Sequence, residues 1–294
     1  MAKTKKRITP QTVRKIILYS VLILISAYIV LPFYVMLISS MQPKEAFVGA
    51  TAFSWWPKDG FDFDSYVQVF NSEIVKRTAN VLQGVANSFL IYLPSVVIGM
   101  FVSGFAAYGF AKLEFRGKNA AFALLLTTMT LPATVTLSSS YLMFTTVYNW
   151  GRTPLPLMVP RMFGTTVAVF FIKQFLSGVS NSLMEAARID GMNEYQIFFN
   201  IILPLIIPAI FAQMLISFIG VYNDYLLPLL YLQSTPELYT AQISLKVLEQ
   251  NYGWKNRPVV MAGCVISVAP LMLLFIIFQK RILSGISMSS GLKG

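Results

Sequence analysis

Long uncharged stretches of mostly apolar residues alternate with short charged segments along this chain. Five stretches contain no Asp, Glu, Lys or Arg: residues 16–43, 78–111, 119–151, 195–223 and 258–279. About 20 apolar residues are enough for an α-helix to cross the hydrocarbon core of a bilayer. Each stretch is therefore long enough for one membrane-spanning helix, and the first three also include a flanking turn or loop.

A sixth span is predicted at residues 158–176, where the pattern is weaker. Lys173 is the one charged residue between Arg161 and Glu185. Near the end of a helix, its ammonium group can extend to the lipid headgroups. A re-entrant or surface segment is the alternative for this stretch.

The distribution of basic residues favours a cytoplasmic location for both termini. With six spans, the segments on the side of the termini carry 14 Lys and Arg, against 9 on the other side. Short loops rich in Lys and Arg stay in the cytoplasm. The first apolar run exceeds the ~7–15 residues of a signal-peptide core, so we expect it to be retained as a helix.

These spans divide the chain into five predicted parts. They are a basic cytoplasmic N-terminus (1–15), a first transmembrane helix (16–41), an extracytoplasmic loop (42–80), a five-helix permease core (81–280) and a cytoplasmic tail (281–294). Prolines fall inside predicted spans at Pro32, Pro94, Pro132, Pro228 and Pro270. Such prolines indicate broken helices, whose freed carbonyls are satisfied by neighbouring helices or by a water-filled cavity.

Composition excludes several classes of function. Of the 294 residues, 56% are apolar and 12% are charged, whereas ~25% of an ordinary soluble domain is charged. With no His and one Cys, the chain can build no His-based zinc site, no Ser-His-Asp triad and no internal disulfide. Lys118 follows a glycine but lacks the rest of a phosphate-binding loop. We therefore predict no catalytic residue, no metal site and no cofactor bound by this chain. Its charge of +11 fits membrane topology better than nucleic acid.

The segment between the fourth and fifth predicted spans, residues 181–204, contains signals for two short helices. Ser182 followed by Glu185 predicts a capping box, and Gly191 predicts a left-handed end to the first helix. Asn193 resembles a second N-cap. The second helix is expected to present four large side chains to the cytoplasm: Tyr195, Ile197, Phe198 and Phe199. Such a surface is typical of a docking site, although a helix lying on lipid headgroups is the alternative.

The same segment resembles the EAA motif of ABC importer permeases. That motif is Glu-Ala-Ala, three residues, Gly, nine residues and Ile-x-Leu-Pro. The chain matches it at Glu185, Ala186, Ala187, Gly191, Ile201, Leu203 and Pro204. The resemblance implies that this loop forms a coupling helix, which lies in a cleft of a separate ATP-hydrolysing subunit. Tyr195, Ile197 and Phe198 would then extend the same contact surface.

Other segments resemble the MalG-like carbohydrate permeases of this family. Residues 107–118 are similar to their short inward loop, and residues 222–228 look like their Trp-Asn-Asp/Glu-Phe-x-x-Pro run, with Tyr222 in place of Trp. The last residues resemble a tail that reaches the ATPase dimer. This makes candidate ATPase contacts of Ser289, Ser290, Gly291 and Lys293. The implied fold is an all-α polytopic membrane protein of the ABC type I importer permease class, with six transmembrane helices.

The resemblance also implies a set of partners. They are a second, MalF-like permease, two MalK-like ATPase subunits that bind ATP and Mg, an extracytoplasmic substrate-binding protein and a carbohydrate substrate. The chain would lie among lipids in the bacterial cytoplasmic membrane, as a transport subunit rather than an enzyme. The leading hypothesis is a permease subunit of an ATP-driven, binding-protein-dependent sugar importer.

Asp224 is the one carboxylate inside a predicted span. Charged groups in the membrane are costly and are functional candidates by default. Together with Asn223, it could contact a sugar hydroxyl in the substrate path, or it could instead pair with a neighbouring subunit or reach water. An ion-coupled secondary transporter using Asp224 is the alternative function, although such transporters usually contain inverted repeats. An intramembrane enzyme would need a catalytic constellation that these residues do not supply.

Two adjacent tryptophans lie in the longest outward loop. Trp55 and Trp56 are candidates for docking the external binding protein. An aromatic belt at the membrane interface is the alternative explanation.

Overall fold

The structure, a computed structural model, describes residues 10–47, 55–57, 60–71 and 80–291. These residues are helical with intervening turns, and they contain no β-strand. The chain divides into two compact units. One unit is Met1–Ser72 with Tyr252–Val265, and the other is Glu73–Asn251 with Ile266–Gly294.

The α-helices of the described residues are numbered here in chain order. They are α1 (Pro10–Ser40), α2 (Asp64–Asn71), α3 (Val81–Lys112), α4 (Lys118–Thr127), α5 (Ala133–Leu142), α6 (Leu155–Met162), α7 (Thr166–Ser177), α8 (Ser182–Ile189), α9 (Glu194–Ile197), α10 (Leu203–Tyr222), α11 (Leu226–Leu232), α12 (Ala241–Tyr252) and α13 (Arg257–Gly291). Two π-helical turns, Met143–Val147 and Phe198–Ile202, follow α5 and α9.

Five helical segments of the described chain are long and apolar enough to cross a membrane. They are Gln11–Ser40, Val81–Lys112, Leu155–Ser177, Glu194–Tyr222 and Arg257–Lys280. A sixth is obtained when Lys118–Thr130 and Thr134–Val147, which meet at 96°, are counted as one broken span. The all-α polytopic fold predicted from the sequence is thereby confirmed, including the weakly predicted span at residues 158–176.

The third predicted span, residues 119–151, is broken at Pro132, as its proline indicates. The helix stops at Leu131, whose ψ of 118° is extended, and α5 begins after Pro132. Proline lacks an amide hydrogen and disfavours the helical conformation of the residue before it, which explains the break. A second interruption lies between α6 and α7, where Gly164 has a φ of +90°.

The other prolines behave differently from the expectation of broken helices. Pro32, Pro94 and Pro270 lie inside the continuous helices α1, α3 and α13. Pro228 lies in α11, beyond the end of the fifth span. Lys173 lies four residues before the end of its span, and its ammonium lies 4.3 Å from the ring centroid of Phe122 in a cation–π contact.

The larger unit is organised around α3, which packs against α6, α7 and α10. Small residues allow this close approach. A Cβ atom at Gly99 would lie 2.2 Å from the backbone oxygen of Arg161, and one at Gly104 would lie 3.1 Å from the Ile210 side chain. Ser103 is buried on the same helix, and its hydroxyl accepts a 3.1 Å hydrogen bond from the amide of Thr165. Small and hydroxyl-bearing residues are typical of packed transmembrane helices.

The smaller unit contains α1, whose apolar side chains are mostly exposed along its length. Near its end, the Ser40 hydroxyl lies 2.7 Å from the Tyr66 hydroxyl of α2. The amide nitrogen of Asn256 donates a 3.0 Å hydrogen bond to the Gln68 side chain. A helix that is apolar on all sides suits a lipid environment.

Candidate functional site

The first helix of the predicted coupling segment, α8, starts at Ser182 as expected but without the predicted capping box. Asn181 occupies the N-cap position, and no side-chain hydrogen bond caps the helix. The Ser182 hydroxyl instead lies 2.7 Å from the Ser180 hydroxyl, and Glu185 is exposed. The prediction fails because the helix begins one residue too early for Ser182 to serve as its cap.

Two other local predictions for this segment are confirmed. Gly191, directly after the end of α8, has a φ of +82°, a conformation that glycine adopts without strain. Asn193 and Gln196 form a reciprocal capping box, with two hydrogen bonds of 2.9 Å between each side chain and the other residue's amide.

The second predicted helix is not a separate element. From Glu194 the chain runs through α9 and the π-helical turn into α10, as one span that ends at Tyr222. Pro204 lies in the first turn of α10. A proline ring clashes with the carbonyl four residues earlier in a regular α-helix. Here that carbonyl belongs to Asn200, which lies in the π-helical turn Phe198–Ile202.

Burial divides the predicted contact residues into two groups. Ala187, Ile197 and Phe198 are buried in the core, so the expectation that Ile197 and Phe198 face the cytoplasm is wrong. They point inwards because α9 is the first turn of a packed span. The side chains of Ile201 and Leu203 are half-buried, whereas those of Glu185, Ala186 and Pro204 are exposed.

An exposed apolar patch remains on this segment. Ile189 is 86% exposed, Tyr195 is 67% exposed and Phe199 is 57% exposed, and Leu183 is also exposed. We call these four residues the loop surface. Contiguous exposed apolar side chains on an otherwise polar loop are typical of a protein contact site.

Polar contacts tie this segment to the end of α3. The Tyr108 hydroxyl donates a 2.6 Å hydrogen bond to the carboxylate of Glu194, which also accepts a 2.9 Å hydrogen bond from Arg188. The Lys112 ammonium donates to the side chain of Asn181, at 2.8 Å, and to the carbonyl of Val179. The hydrogen bond to Glu194 raises the pKa of Arg188 above its ordinary value. A hydrogen bond with one charged partner is stronger than a neutral one, so the bonds from Tyr108 and Lys112 hold the segment to α3.

Aromatic packing reinforces the connection to α3. Phe105 lies parallel to Tyr195, with ring centroids 6.0 Å apart, and meets Phe198 edge-on at 5.0 Å. Sequence reasoning did not identify Tyr108, Lys112 or Glu194 as part of the site. The signal was present, because the first two lie in the segment 107–118 that resembles the family's short inward loop.

Asn223 and Asp224 do not lie inside a helix, in contrast to the prediction for Asp224. α10 ends at Tyr222, and α11 begins at Leu226. The Asp224 carboxylate is half-buried and accepts a 3.4 Å hydrogen bond from the amide of Leu227. Asn223 is exposed and accepts a 3.2 Å hydrogen bond from Gln242. Asn and Asp compete with the helical backbone for hydrogen bonds, which accounts for the break.

The remaining candidates stay predictions. Ser289, Ser290 and Gly291 lie in the last turns of α13, and Lys293 falls outside the described residues. Trp55 and Trp56 are both exposed, and Trp56 contacts the edge of Phe61 with ring centroids 5.4 Å apart.

Apolar helices long enough to cross a membrane, joined by a loop that contains the EAA motif, are typical of a transport permease, and sequence comparison specifies the family. The chain belongs to the family described as "Binding-protein-dependent transport system inner membrane component", which matches residues 72–287. It is therefore a multi-pass inner-membrane protein and a transport subunit. The resemblance to ABC importer permeases seen in the EAA motif is confirmed.

Individual relatives in this family carry names that specify their cargo. The arabinooligosaccharides transport system permease protein AraQ of Bacillus subtilis is 29% identical over 292 residues, covering 98% of this chain and 99% of that protein. AraQ of Halalkalibacterium halodurans is 33% identical over 211 residues, 71% of this chain and 73% of that protein. The trehalose/maltose transport system permease protein MalG of Thermococcus litoralis is 26% identical over 285 residues, 97% of this chain and 99% of that protein.

A solved structure shares the fold. It is a bacterial ABC transporter involved in the import of the acidic polysaccharide alginate. One of its chains superimposes with a TM-score of 0.76 at 19% identity, covering 95% of this chain and 99% of that chain.

Proposed function

We propose that this chain is one of two permease subunits of an ATP-driven importer of sugars or oligosaccharides. The assembly would contain a second, MalF-like permease, two MalK-like ATPase subunits and an extracytoplasmic binding protein. The family supports an importer that depends on a binding protein. The cargo class is proposed because AraQ and MalG, relatives over nearly the full chain, are named for oligosaccharides and disaccharides.

The observation that carries the mechanism is the loop surface on a firmly held segment. Leu183 and Ile189 of α8, with Tyr195 and Phe199, are exposed at the same loop, and the segment contains the complete EAA motif. We propose that an ATPase subunit covers this surface. ATP and Mg would be bound by that partner, and this chain would perform no chemistry itself.

Coupling then follows from the connections of the segment. When the ATPase subunits close on ATP, α8 would move with the subunit that covers it. Lys112 and Tyr108 would pass that motion to α3, and the continuous helix from Glu194 would pass it to α10. Packed helices shift as rigid bodies between discrete arrangements rather than deforming gradually. The outcome would be a switch between outward-open and inward-open pathways.

The proposal is tested by co-purification of the assembly through a tag on this chain. The chain is coexpressed with the genes beside its own, and Ile189→Asp is compared with Phe115→Asp. Ile189 belongs to the loop surface, whereas Phe115 is an exposed aromatic residue on the neighbouring loop. We expect wild type and Phe115→Asp to retain an ATPase subunit, and Ile189→Asp to lose most of it while keeping the second permease. Equal recovery of the ATPase by both variants would contradict the docking role.

Cargo and energy source are tested in proteoliposomes that contain the assembly. Radiolabelled arabinotriose and maltotriose are supplied with the cognate binding protein, with and without ATP on the ATPase side. We expect ATP-dependent uptake of both sugars, at unequal rates, that continues when ionophores collapse ion gradients. Uptake that needs an ion gradient but no ATP, and that Asp224→Asn abolishes, would instead support the secondary-transporter hypothesis.

A further inference from the structure

A cavity of about 320 Å³ lies between α5, α6 and α11 in the larger unit. Its wall is lined by three hydroxyl-bearing residues, one basic residue and two aromatic residues: Thr136, Ser140, Thr165, Arg161, Phe144 and Tyr231. Pockets for small molecules combine apolar and aromatic walls with a few polar groups, and their volumes range from about 300 to 1,000 Å³. The cavity is therefore of a size for one small polar ring.

Arg161 is the unusual residue in this wall. It is the one charged residue between Leu155 and Phe171, within a segment long enough to cross the membrane. Its Nε atom is buried and has no hydrogen-bond partner among the described residues, and the same is true of the nearby Tyr92 hydroxyl. A buried donor without a partner is destabilising, so each such group calls for an explanation.

No carboxylate of the described residues forms an ion pair with Arg161. Asp224 is near enough for the two charges to attract each other, but the ion pairs of the described chain lie elsewhere. Asp224 instead accepts the amide of Leu227. A guanidinium has five donors and no acceptor, so Arg161 retains donors for an oxygen-rich ligand.

The backbone holds Arg161 in a fixed position. Gly99 of α3 contacts the carbonyl oxygen of Arg161 so closely that any Cβ atom would clash. Three residues beyond Arg161, Gly164 packs against Ser103, whose hydroxyl accepts the amide of Thr165. A donor held in this way is preorganised, which lowers the free-energy cost of binding.

Aromatic rings supply the apolar part of the cavity wall. Phe144 contacts Tyr231 edge-on, with ring centroids 6.2 Å apart, and lies parallel to Trp150 at 5.6 Å. Sugar rings present apolar C–H faces and a rim of hydroxyls, and a hydroxyl both donates and accepts hydrogen bonds. The combination of flat aromatic surface, three hydroxyls and one guanidinium matches both parts of such a ring.

We infer that this cavity is a substrate subsite of the permease, which binds one sugar ring of the permeating carbohydrate. Arg161 donates hydrogen bonds to the oxygens of the ring, Ser140 completes the polar side, and Phe144 with Tyr231 supports the apolar face. The inference rests on the proposed function, because it takes a carbohydrate as the cargo. It assigns to this subunit a direct part in selecting the sugar, in addition to any selection by the binding protein.

The test fills the cavity without removing a buried group. Ser140→Leu places a larger side chain in the wall, and Ser138→Leu introduces the same side chain two residues away, at an exposed position outside the wall. Uptake of arabinotriose and maltotriose is measured in proteoliposomes with saturating binding protein, together with ATPase stimulation by the loaded binding protein. Each variant must first co-purify with its partners.

We expect Ser140→Leu to reduce uptake of both trisaccharides by about tenfold or more, as lost hydrogen bonds and lost space predict. ATPase stimulation should persist, since the loop surface is untouched, and Ser138→Leu should transport like wild type. Arg161→Lys, which keeps the charge but loses the forked donor geometry, should change the ratio of arabinotriose to maltotriose uptake. If Arg161 has only a structural role, Arg161→Lys should lower the two uptake rates by the same factor.

The outcomes separate the inference from the proposed function. Normal transport by an assembled Ser140→Leu variant, or an unchanged sugar ratio in Arg161→Lys, would overturn the subsite while leaving the importer intact. If the wild-type assembly moves neither sugar with ATP, the proposed function fails and the subsite fails with it.

Discussion

The coupling segment and the cavity are built in opposite ways. The segment from Asn181 to Pro204 is continuous in sequence, and its Glu194 and Asn181 side chains accept hydrogen bonds of 2.6 and 2.8 Å from Tyr108 and Lys112 of α3. The cavity combines residues from α5, α6 and α11, which are far apart in sequence, and it contains a buried donor without a partner. In the first region Tyr108, Arg188 and Glu194 pair with one another, whereas in the second the Arg161 Nε atom has no partner among the described residues.

The largest effect is expected from Gly99→Leu. This substitution should disrupt the contact between α3 and α6 beside the cavity, and it does not touch the coupling segment. A Cβ atom at this position would lie 2.2 Å from the Arg161 carbonyl oxygen, and backbone atoms cannot move aside cheaply. Overpacking of a tight interface destabilises by about 1–3 kcal/mol, and a backbone clash exceeds the usual case. We expect little monodisperse protein by fluorescence-detected size-exclusion chromatography. A normal elution profile for Gly99→Leu would show that the α3–α6 contact is not required.

The next effect is expected from Lys112→Met, which breaks the coupling region. It removes the hydrogen bonds to Asn181 and Val179 but retains most of the apolar stem. Hydrogen bonds to charged groups contribute about 1.5–3 kcal/mol. The assembly should therefore still form, but fewer sugar molecules should be transported per ATP hydrolysed.

Arg116→Met serves as the matched control for Lys112→Met. Arg116 is an exposed basic residue on the adjacent loop, so its loss changes the charge equally without touching α8. Unequal transport per ATP between these two variants is the expected result. Identical transport per ATP in the two variants would show that the hydrogen bonds of Lys112 do not contribute to coupling.

A pair of glycine substitutions should change stability in opposite directions. Gly191→Ala introduces a side chain at a φ of +82°, which disfavours the native loop by about 1–2 kcal/mol. Gly109→Ala lies in α3, where a Cβ atom meets nothing within 4 Å, and alanine stabilises helices by about 0.5–1 kcal/mol. Melting temperatures of the detergent-solubilised assembly should fall for the first and rise for the second. A rise for Gly191→Ala would show that the loop does not need a left-handed residue.

The smallest effect on this chain is expected from Glu185→Gln. Glu185 is exposed and caps no helix, so its stability change should remain within about 0.5 kcal/mol. If the loop surface is covered by an ATPase subunit, the same substitution should weaken recovery of that subunit more than it alters the melting temperature. A large loss of melting temperature without loss of the partner would assign Glu185 a structural role instead.

The two regions also differ in how far the sequence predicts them. The spans, the left-handed Gly191 and the Asn193 capping box follow from local patterns, and the structure agrees. The break at Pro132 also follows from the sequence. Pro32, Pro94 and Pro270 lie in continuous helices, which the presence of a proline alone does not reveal. The inward direction of Ile197 and Phe198 depends on packing against α3, which periodicity in so short a helix does not reveal.

Arg161 was overlooked for a related reason. In the sequence it reads as the charged boundary of a weak span, and its significance depends on a cavity formed with residues 136–144 and 227–231. A charge well inside a 23-residue segment that can cross a membrane, in addition to Lys173 near its other end, is the signal that was available. Residues that meet only in the folded protein leave no local pattern in the sequence, whereas the EAA motif is contained in one short stretch of chain.

The continuous helix from Glu194 to Tyr222 has a mechanical consequence. Its 29 residues, at 1.5 Å per residue, form a rod of about 43 Å. If the rod rotated by about 5° about one end, the other end would move by about 4 Å, a distance comparable to the size of a water molecule. One end of this rod carries Tyr195 and Phe199, and the other leads directly into Asn223 and Asp224. A small angular change at the end that carries Tyr195 would thus become a movement of several ångströms at the end next to Asn223.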